Sequence, residues 1–204
     1  MQDKNTFYKV CRVIFKPILF LITRYKLINK YNLNEKGRVI VVSNHISALD
    51  PICIAVGQKR PIRFIAKKEL FENKFVSWFL RKLGAFPVDR EANDIHAIKE
   101  FMRGLKNEEA MGIFIEGTRS KTGNFLEPKE GPAMFSMRCN ANVLPVCITK
   151  IGKRRYVHFG EMITYDELRF SDDTLSKNEK LEFATNYIFD KIKELRKTDL
   201  KNEI

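Results

Sequence analysis

Residues 39 to 51 read VIVVSNHISALDP, and the fold turns on how they are read. Val39 to Val42 is an unbroken run of β-branched residues, the composition of a strand buried on both faces. Pro51 suits the first turn of a helix, where its missing N–H goes unneeded. A buried strand passing directly into a helix is the opening of an α/β unit, and in such sheets chemistry gathers at the carboxyl ends of the strands. Asn44 and His45 stand at that end. Asp50 admits two readings, as the N-cap of a helix over Ile52 to Val56 or as an acceptor that orients the His45 imidazole. In a continuous helix, side chains five positions apart diverge by about 140°. The pair therefore meets only if Ile46 to Leu49 form a turn before the helix begins.

Outward from this stretch the chain alternates strands and helices. Ile62 to Ala66 reads as a short strand, and Glu69 to Leu83 as one helix with Leu70, Phe71, Phe75, Trp78 and Phe79 at helical spacing, ending at Gly84. Ala85 to Val88 is a short extended piece. A helix follows with Ile95, Ile98, Met102 and Leu105 on one face, then the apolar strand Met111 to Ile115 and a polar loop from Glu116 to Gly131. Pro132 opens a helix to about Cys139, and Val143 to Thr149 and Tyr156 to Phe159 are further strands. Ser176 and Glu179 form a capping box for a last helix carrying Leu181, Ala184, Ile188, Ile192 and Leu195. This order predicts an α/β fold with a mixed, largely parallel sheet flanked by helices.

At 204 residues, the chain has room for one sizeable core, and 37 basic against 25 acidic residues point to an anionic partner. The four cysteines form no CxxC pair and the three histidines are scattered, so neither a disulfide framework nor a metal site is expected, and no cofactor is implied. The charge is concentrated at the start: residues 1 to 38 hold nine Lys or Arg against Asp3 and Glu35, interleaved with VIFKPILFLITRYKLI. The longest charge-free stretch there, Pro17 to Thr23, is seven residues, whereas a bilayer span needs roughly 20. Neither a spanning helix nor a signal peptide is expected. Residues 1–36 instead read as a basic amphipathic segment broken at Pro17, lying in the membrane interface or packed on the domain, and residues 37–204 as the main domain.

The polar segments recur in a recognisable order: N44-H-I-S-A-L-D50, then G84-A-F-P-V-D-R90, then F114-I-E-G-T-R-S120, then V143-L-P-V146. With FIAKKEL at 64 to 70 and the turn Lys129 to Gly131, they resemble the glycerolipid acyltransferase family, whose best-known members are 1-acylglycerol-3-phosphate O-acyltransferases. The resemblance runs from about Val39 to Ile163. One departure is Ile115, where the family usually has proline before the glutamate, a change that should extend the strand.

The resemblance implies transfer of a fatty acyl group from an acyl thioester, acyl-CoA or acyl carrier protein, to the sn-2 hydroxyl of 1-acylglycerol 3-phosphate (lysophosphatidic acid), giving phosphatidic acid. It implies a peripheral enzyme at the cytoplasmic face of an anionic membrane. An imidazole can take the hydroxyl proton as it attacks, so His45 is the candidate base and Asp50 its orienting partner. No G-x-S-x-G elbow is present, which argues against a covalent acyl-enzyme. Arg90 and Arg119 are the candidate phosphate ligands, with Lys67 and Lys129 behind them. Glu116 is assigned to orienting its loop or a substrate hydroxyl, or to pairing with Arg119, and Gly117 to close backbone approach, with Thr118 completing the block. Phe71, Phe75, Trp78 and Phe79 are core residues or the lining of an acyl groove. Other lysolipids or glycerol 3-phosphate are alternative acceptors. A different class of reading is a non-enzymatic basic protein bound to membrane or nucleic acid, although no nucleic-acid-binding motif is visible.

Overall fold

The computed structural model describes residues 2–30, 33, 36–89, 94–169 and 175–201. In chain order its strands are β1 (Lys26–Ile28), β2 (Val39–Ser43), β3 (Ile62–Lys67), β4 (Phe86–Val88), β5 (Ala110–Phe114), β6 (Asn142–Ile151) and β7 (Arg154–Phe159). The helices are α1 (Gln2–Thr23), α2 (Asp50–Val56), α3 (Lys74–Lys82), α4 (Ile95–Lys106), α5 (Gly131–Cys139), α6 (Tyr165–Leu168) and α7 (Lys177–Lys201). The strands form one sheet in the order β1-β7-β6-β2-β5-β3-β4, parallel except where β7 returns beside β6. The expected mixed, largely parallel sheet is therefore present.

Strand β2 lies at its centre, buried on both faces as its β-branched run requires. Ile40 and Val42 face a core shared with α4, α5 and α7, while Val39 and Val41 face one shared with α1 and α2. The alternation of side chains along a strand makes this three-layer arrangement.

Three local expectations are corrected. Helix α1 runs unbroken through Pro17, which sits on its exposed face, where water can reach the carbonyl left without an N–H partner. The helix expected over Glu69 to Leu83 is split into a 3-10 turn, Lys68–Phe71, and α3, because the Asn73 side chain accepts from the N–H groups of Phe75 and Val76 and starts a new helix. Ile95 is 61% exposed, while Ile98, Met102 and Leu105 do face the core, beside Ala97, Phe101 and Gly104.

The described residues of the N-terminal segment are joined to the sheet by more than contact. β1 pairs with β7, Tyr8 donates its hydroxyl to the Ala55 carbonyl at 2.8 Å, and Leu19 is buried. The opposite face of α1 remains apolar and exposed, with Val13 at 69% and Leu21 at 79%, and α3 beside it presents Phe75 and Trp78. Phe7 and Phe15 of α1 meet Trp78 and Phe79 edge to face. Among the described residues no helix is long and apolar enough to cross a membrane.

Candidate active site

The parallel register brings the quoted motifs to one edge of the sheet. Ser43 is level with Phe114 of β5 and Val146 of β6, so His45, Glu116 and Ile148 stand side by side just beyond β2. Asn44 locks this edge: its amide donates to the Ile148 carbonyl at 2.9 Å and accepts from the Ile148 N–H at 2.7 Å. Ile115 donates its N–H to the Ser43 carbonyl at 2.9 Å, a bond that proline at that position would lack.

Ile46 to Leu49 do form a turn, closed by the Asp50 N–H on the Ser47 carbonyl. It places the His45 Nδ1–H on Asp50 Oδ2 at 2.9 Å. The same oxygen accepts the N–H groups of Ile46 and Ser47, each at 2.7 Å. Asp50 is thus not the N-cap of α2; Leu49 occupies that position without a side-chain cap, and the carboxylate fastens the turn before the helix. An ionised carboxylate only accepts, so Nδ1 carries the hydrogen and Nε2 is the bare acceptor of the neutral ring. Nε2 makes no hydrogen bond to another described residue.

Two residues of the quoted motifs to which the sequence assigns no role hold the imidazole in place. Phe114 stacks on it at 3.8 Å with the rings 9° apart, and Phe64 stacks on Phe114 at 5.8 Å. Gly112 leaves the space for Phe64, since a Cβ there would lie 2.4 Å from its ring. An aromatic face against the ring favours the imidazolium that forms when His45 takes a proton.

The third motif folds over this turn. Ser120 donates its N–H to the His45 carbonyl at 2.8 Å and Lys129 donates to Ile115 at 2.8 Å. Gly117 has φ +68, and a Cβ there would meet only Lys129 Cγ at an ordinary 3.6 Å. The left-handed backbone favours glycine here. Glu116 is 2% exposed, and neither carboxylate oxygen has a hydrogen bond of normal geometry. Burial pushes its pKa up to about 7 against the pull of Arg196 and of the nearby N–H groups of His45 and Leu126. The guanidinium acting on Glu116 is therefore that of Arg196 on α7, while Arg119 is exposed. Arg196 also donates to the Gly123 carbonyl at 3.0 Å and lies 3.7 Å from the Phe125 ring centre, tying the loop to α7. Only the tertiary fold reveals this role, 80 residues from Glu116.

Thr118, Arg119 and Lys129 stand exposed around the loop, and Lys67, at the end of β3, pairs with Glu69 at 2.9 Å. Arg90 lies outside the described residues. The N–H groups of Ile46 and Ser47 are taken by Asp50 and that of Gly117 by the Phe114 carbonyl. The N–H groups of Thr118 and Arg119 make no hydrogen bond to another described residue.

Comparison with known proteins bears on the same edge of the sheet. A family model described as acyltransferase matches residues 24–149, which include His45, Asp50 and the Glu116 loop. The 1-acyl-sn-glycerol-3-phosphate acyltransferase of Bacillus subtilis is 33% identical over 198 residues, covering 92% of this chain and 96% of that protein. The enzyme of the same description from Streptococcus pneumoniae is 30% identical over 150 residues, 69% of this chain and 55% of its own length. The crystal structure of the 1-acyl-sn-glycerophosphate acyltransferase PlsC from Thermotoga maritima superposes with a TM-score of 0.75 at 24% identity, over 95% of this chain and 81% of that one, a likeness of fold. From the family match over more than half its length, and from a relative aligned nearly end to end, the chain belongs to the acyltransferase family.

Proposed function

We propose that the chain is a 1-acylglycerol-3-phosphate O-acyltransferase that uses His45 as its general base. The observation that carries this reading is the His45–Asp50 contact, with Nε2 unengaged beside the Glu116 loop. The acceptor's sn-2 hydroxyl gives its proton to Nε2 as its oxygen attacks the thioester carbonyl, and Asp50 stabilises the imidazolium. The oxyanion is held by the N–H groups of Thr118 and Arg119. Collapse breaks the carbon–sulfur bond, and the imidazolium returns its proton to the departing thiolate. Arg119 and Lys129, with Arg90 and Lys67, hold the acceptor phosphate. The donor is coenzyme A or acyl carrier protein, and no metal or resident cofactor takes part.

The exposed apolar faces of α1 and α3, beside the basic residues of the N-terminal segment, support a peripheral seat on an anionic membrane at its cytoplasmic face. Thiol release from palmitoyl coenzyme A or palmitoyl acyl carrier protein, with and without lysophosphatidic acid in vesicles, tests the reaction. Acceptor-dependent release is expected, and its absence with both donors and with other lysolipids would sink the proposal. Arg119→Ala should raise KM for lysophosphatidic acid about tenfold or more and leave a neutral monoacylglycerol unaffected. An equal effect on both acceptors would remove Arg119 from the phosphate site.

A further inference from the structure

The edge that carries His45 has a second cluster of cations, on the side away from Glu116. β6 continues past the level of His45 to Ile151 and turns at Gly152 into β7, so the hairpin K150-I-G-K-R-R155 overhangs the site. β1 runs parallel to β7, which brings Arg24 to the same edge. Together Arg24, Lys150, Lys153, Arg154 and Arg155 line a cavity of about 360 Å³, and no acidic residue lines it. Its remaining wall includes Ile22 at the end of α1 and Leu49, the neighbour of Asp50.

This arrangement is costly without an anion. Lys150 and Arg155 face each other directly across the antiparallel pair, where like charges repel. Nε and Nη1 of Arg155 are buried without a hydrogen-bond partner, and the group beside its guanidinium is the Cys53 thiol, a weak acceptor that leaves the cation poorly satisfied. By alternation Lys150 and Arg155 share a face with Ile148 and Val157, the face that α1 and α2 cover and on which the His45 ring stacks with Phe114. The cavity therefore opens on the same layer as the base.

An acyl transfer of the proposed kind brings two phosphate-bearing molecules to one histidine. The cations around the Glu116 loop lie on one flank of β2 and the hairpin cations on the other, because β5 and β6 are its two neighbours. Resting on the proposed reaction, we infer that the hairpin cavity binds the phosphate of the acyl donor's 4′-phosphopantetheine arm, the part that coenzyme A and carrier-protein thioesters share. β7 is two strands from β2, about 10 Å, and an extended pantetheine chain reaches further than that. The thioester then lies at His45 while the phosphate sits under the hairpin.

The test compares palmitoyl 4′-phosphopantetheine with palmitoyl pantetheine, which lacks the phosphate, in the wild type and in a Lys150→Gln/Arg155→Gln variant. The wild type should favour the phosphorylated donor, and that ratio of kcat/KM should fall about tenfold or more in the variant while KM for lysophosphatidic acid stays fixed. An unchanged ratio overturns the inference. So does a rise confined to KM for lysophosphatidic acid, which would give the cavity to the acceptor. Lys150→Gln/Lys153→Gln, at two exposed positions, repeats the test if loss of Arg155 impairs folding. Calorimetry with 4′-phosphopantetheine alone reads the site without turnover: binding that the variants lose supports it, and no binding to the wild type overturns it. Wild type that binds the arm but transfers nothing faults the proposed reaction and leaves the cavity assigned.

Discussion

His45 donates from Nδ1 to Asp50 at 2.9 Å, and His158 donates from Nδ1 to Asp199 at 2.8 Å. Both imidazoles are 6% exposed and both carboxylates are buried. The pairs differ in what surrounds them. His45 stands past the end of β2 with Nε2 unengaged, and its aspartate is five residues away on a turn. His158 lies within β7, its Nε2 faces the Asn29 amide at 3.4 Å, and the second oxygen of Asp199 accepts the Thr149 hydroxyl at 2.8 Å. Every polar atom of the second pair is engaged, and it fastens the end of α7 to the sheet. A histidine–aspartate pair is a base only where the other ring nitrogen is left for a substrate, and position on the sheet decides that.

Substituting the two histidines separately gives the largest expected contrast. His45→Ala should lower kcat by about 10²–10⁴-fold per folded molecule, beyond any loss of stability from its buried contacts. His158→Ala should cost about 3–5 kcal/mol of stability, measured by denaturant unfolding, with activity per folded molecule retained. Exchanged outcomes would break the comparison. The aspartates should divide in the same way. Asp50→Asn disturbs the tautomer and should cost about 10²-fold or more in kcat, whereas Asp199→Asn should lower stability by about 1–3 kcal/mol and spare turnover.

Glu116 sharpens the comparison further, because it adds a titration beside the first pair. Burial raises its pKa from 4.5 to about 7, so between those values the folded chain holds a proton that the unfolded chain has released. Stability should fall as pH rises across that interval and level off above it. Unfolding followed from pH 4.5 to 8 should show this slope in the wild type and a flatter line in Glu116→Gln. The smallest effect is expected at Asn29, whose long contact to His158 should be worth less than about 1 kcal/mol when replaced by alanine, with no change in transfer.

The first pair was legible in the sequence because its parts are local: a β-branched run, a turn and a proline together place His45 against Asp50. The second was not, since Asp199 lies 41 residues from His158 on a different element. Distance in sequence also hid Phe114 as the platform of the imidazole and Arg196 as the partner of Glu116. β1 escaped notice because three residues, KLI, inside a basic apolar segment carry no strand pattern of their own; their strand character comes from pairing with β7. The division of α3 from the 3-10 turn did have a local signal, the Asn73 cap, and periodicity alone overrode it.

The pairing of β1 with β7 also bears on how the molecule is made. Lys26 lies opposite Tyr156, about 130 residues later in the chain. At a synthesis rate of ~5–20 residues per second, β1 waits on the order of ten seconds for its partner to emerge. During that interval α1 is complete, while the strand that will anchor its carboxyl end to the sheet has no neighbour to join. Within its own chain the helix first meets α2, where Tyr8 bonds to Ala55, so its amino-terminal half can dock well before its carboxyl end is anchored.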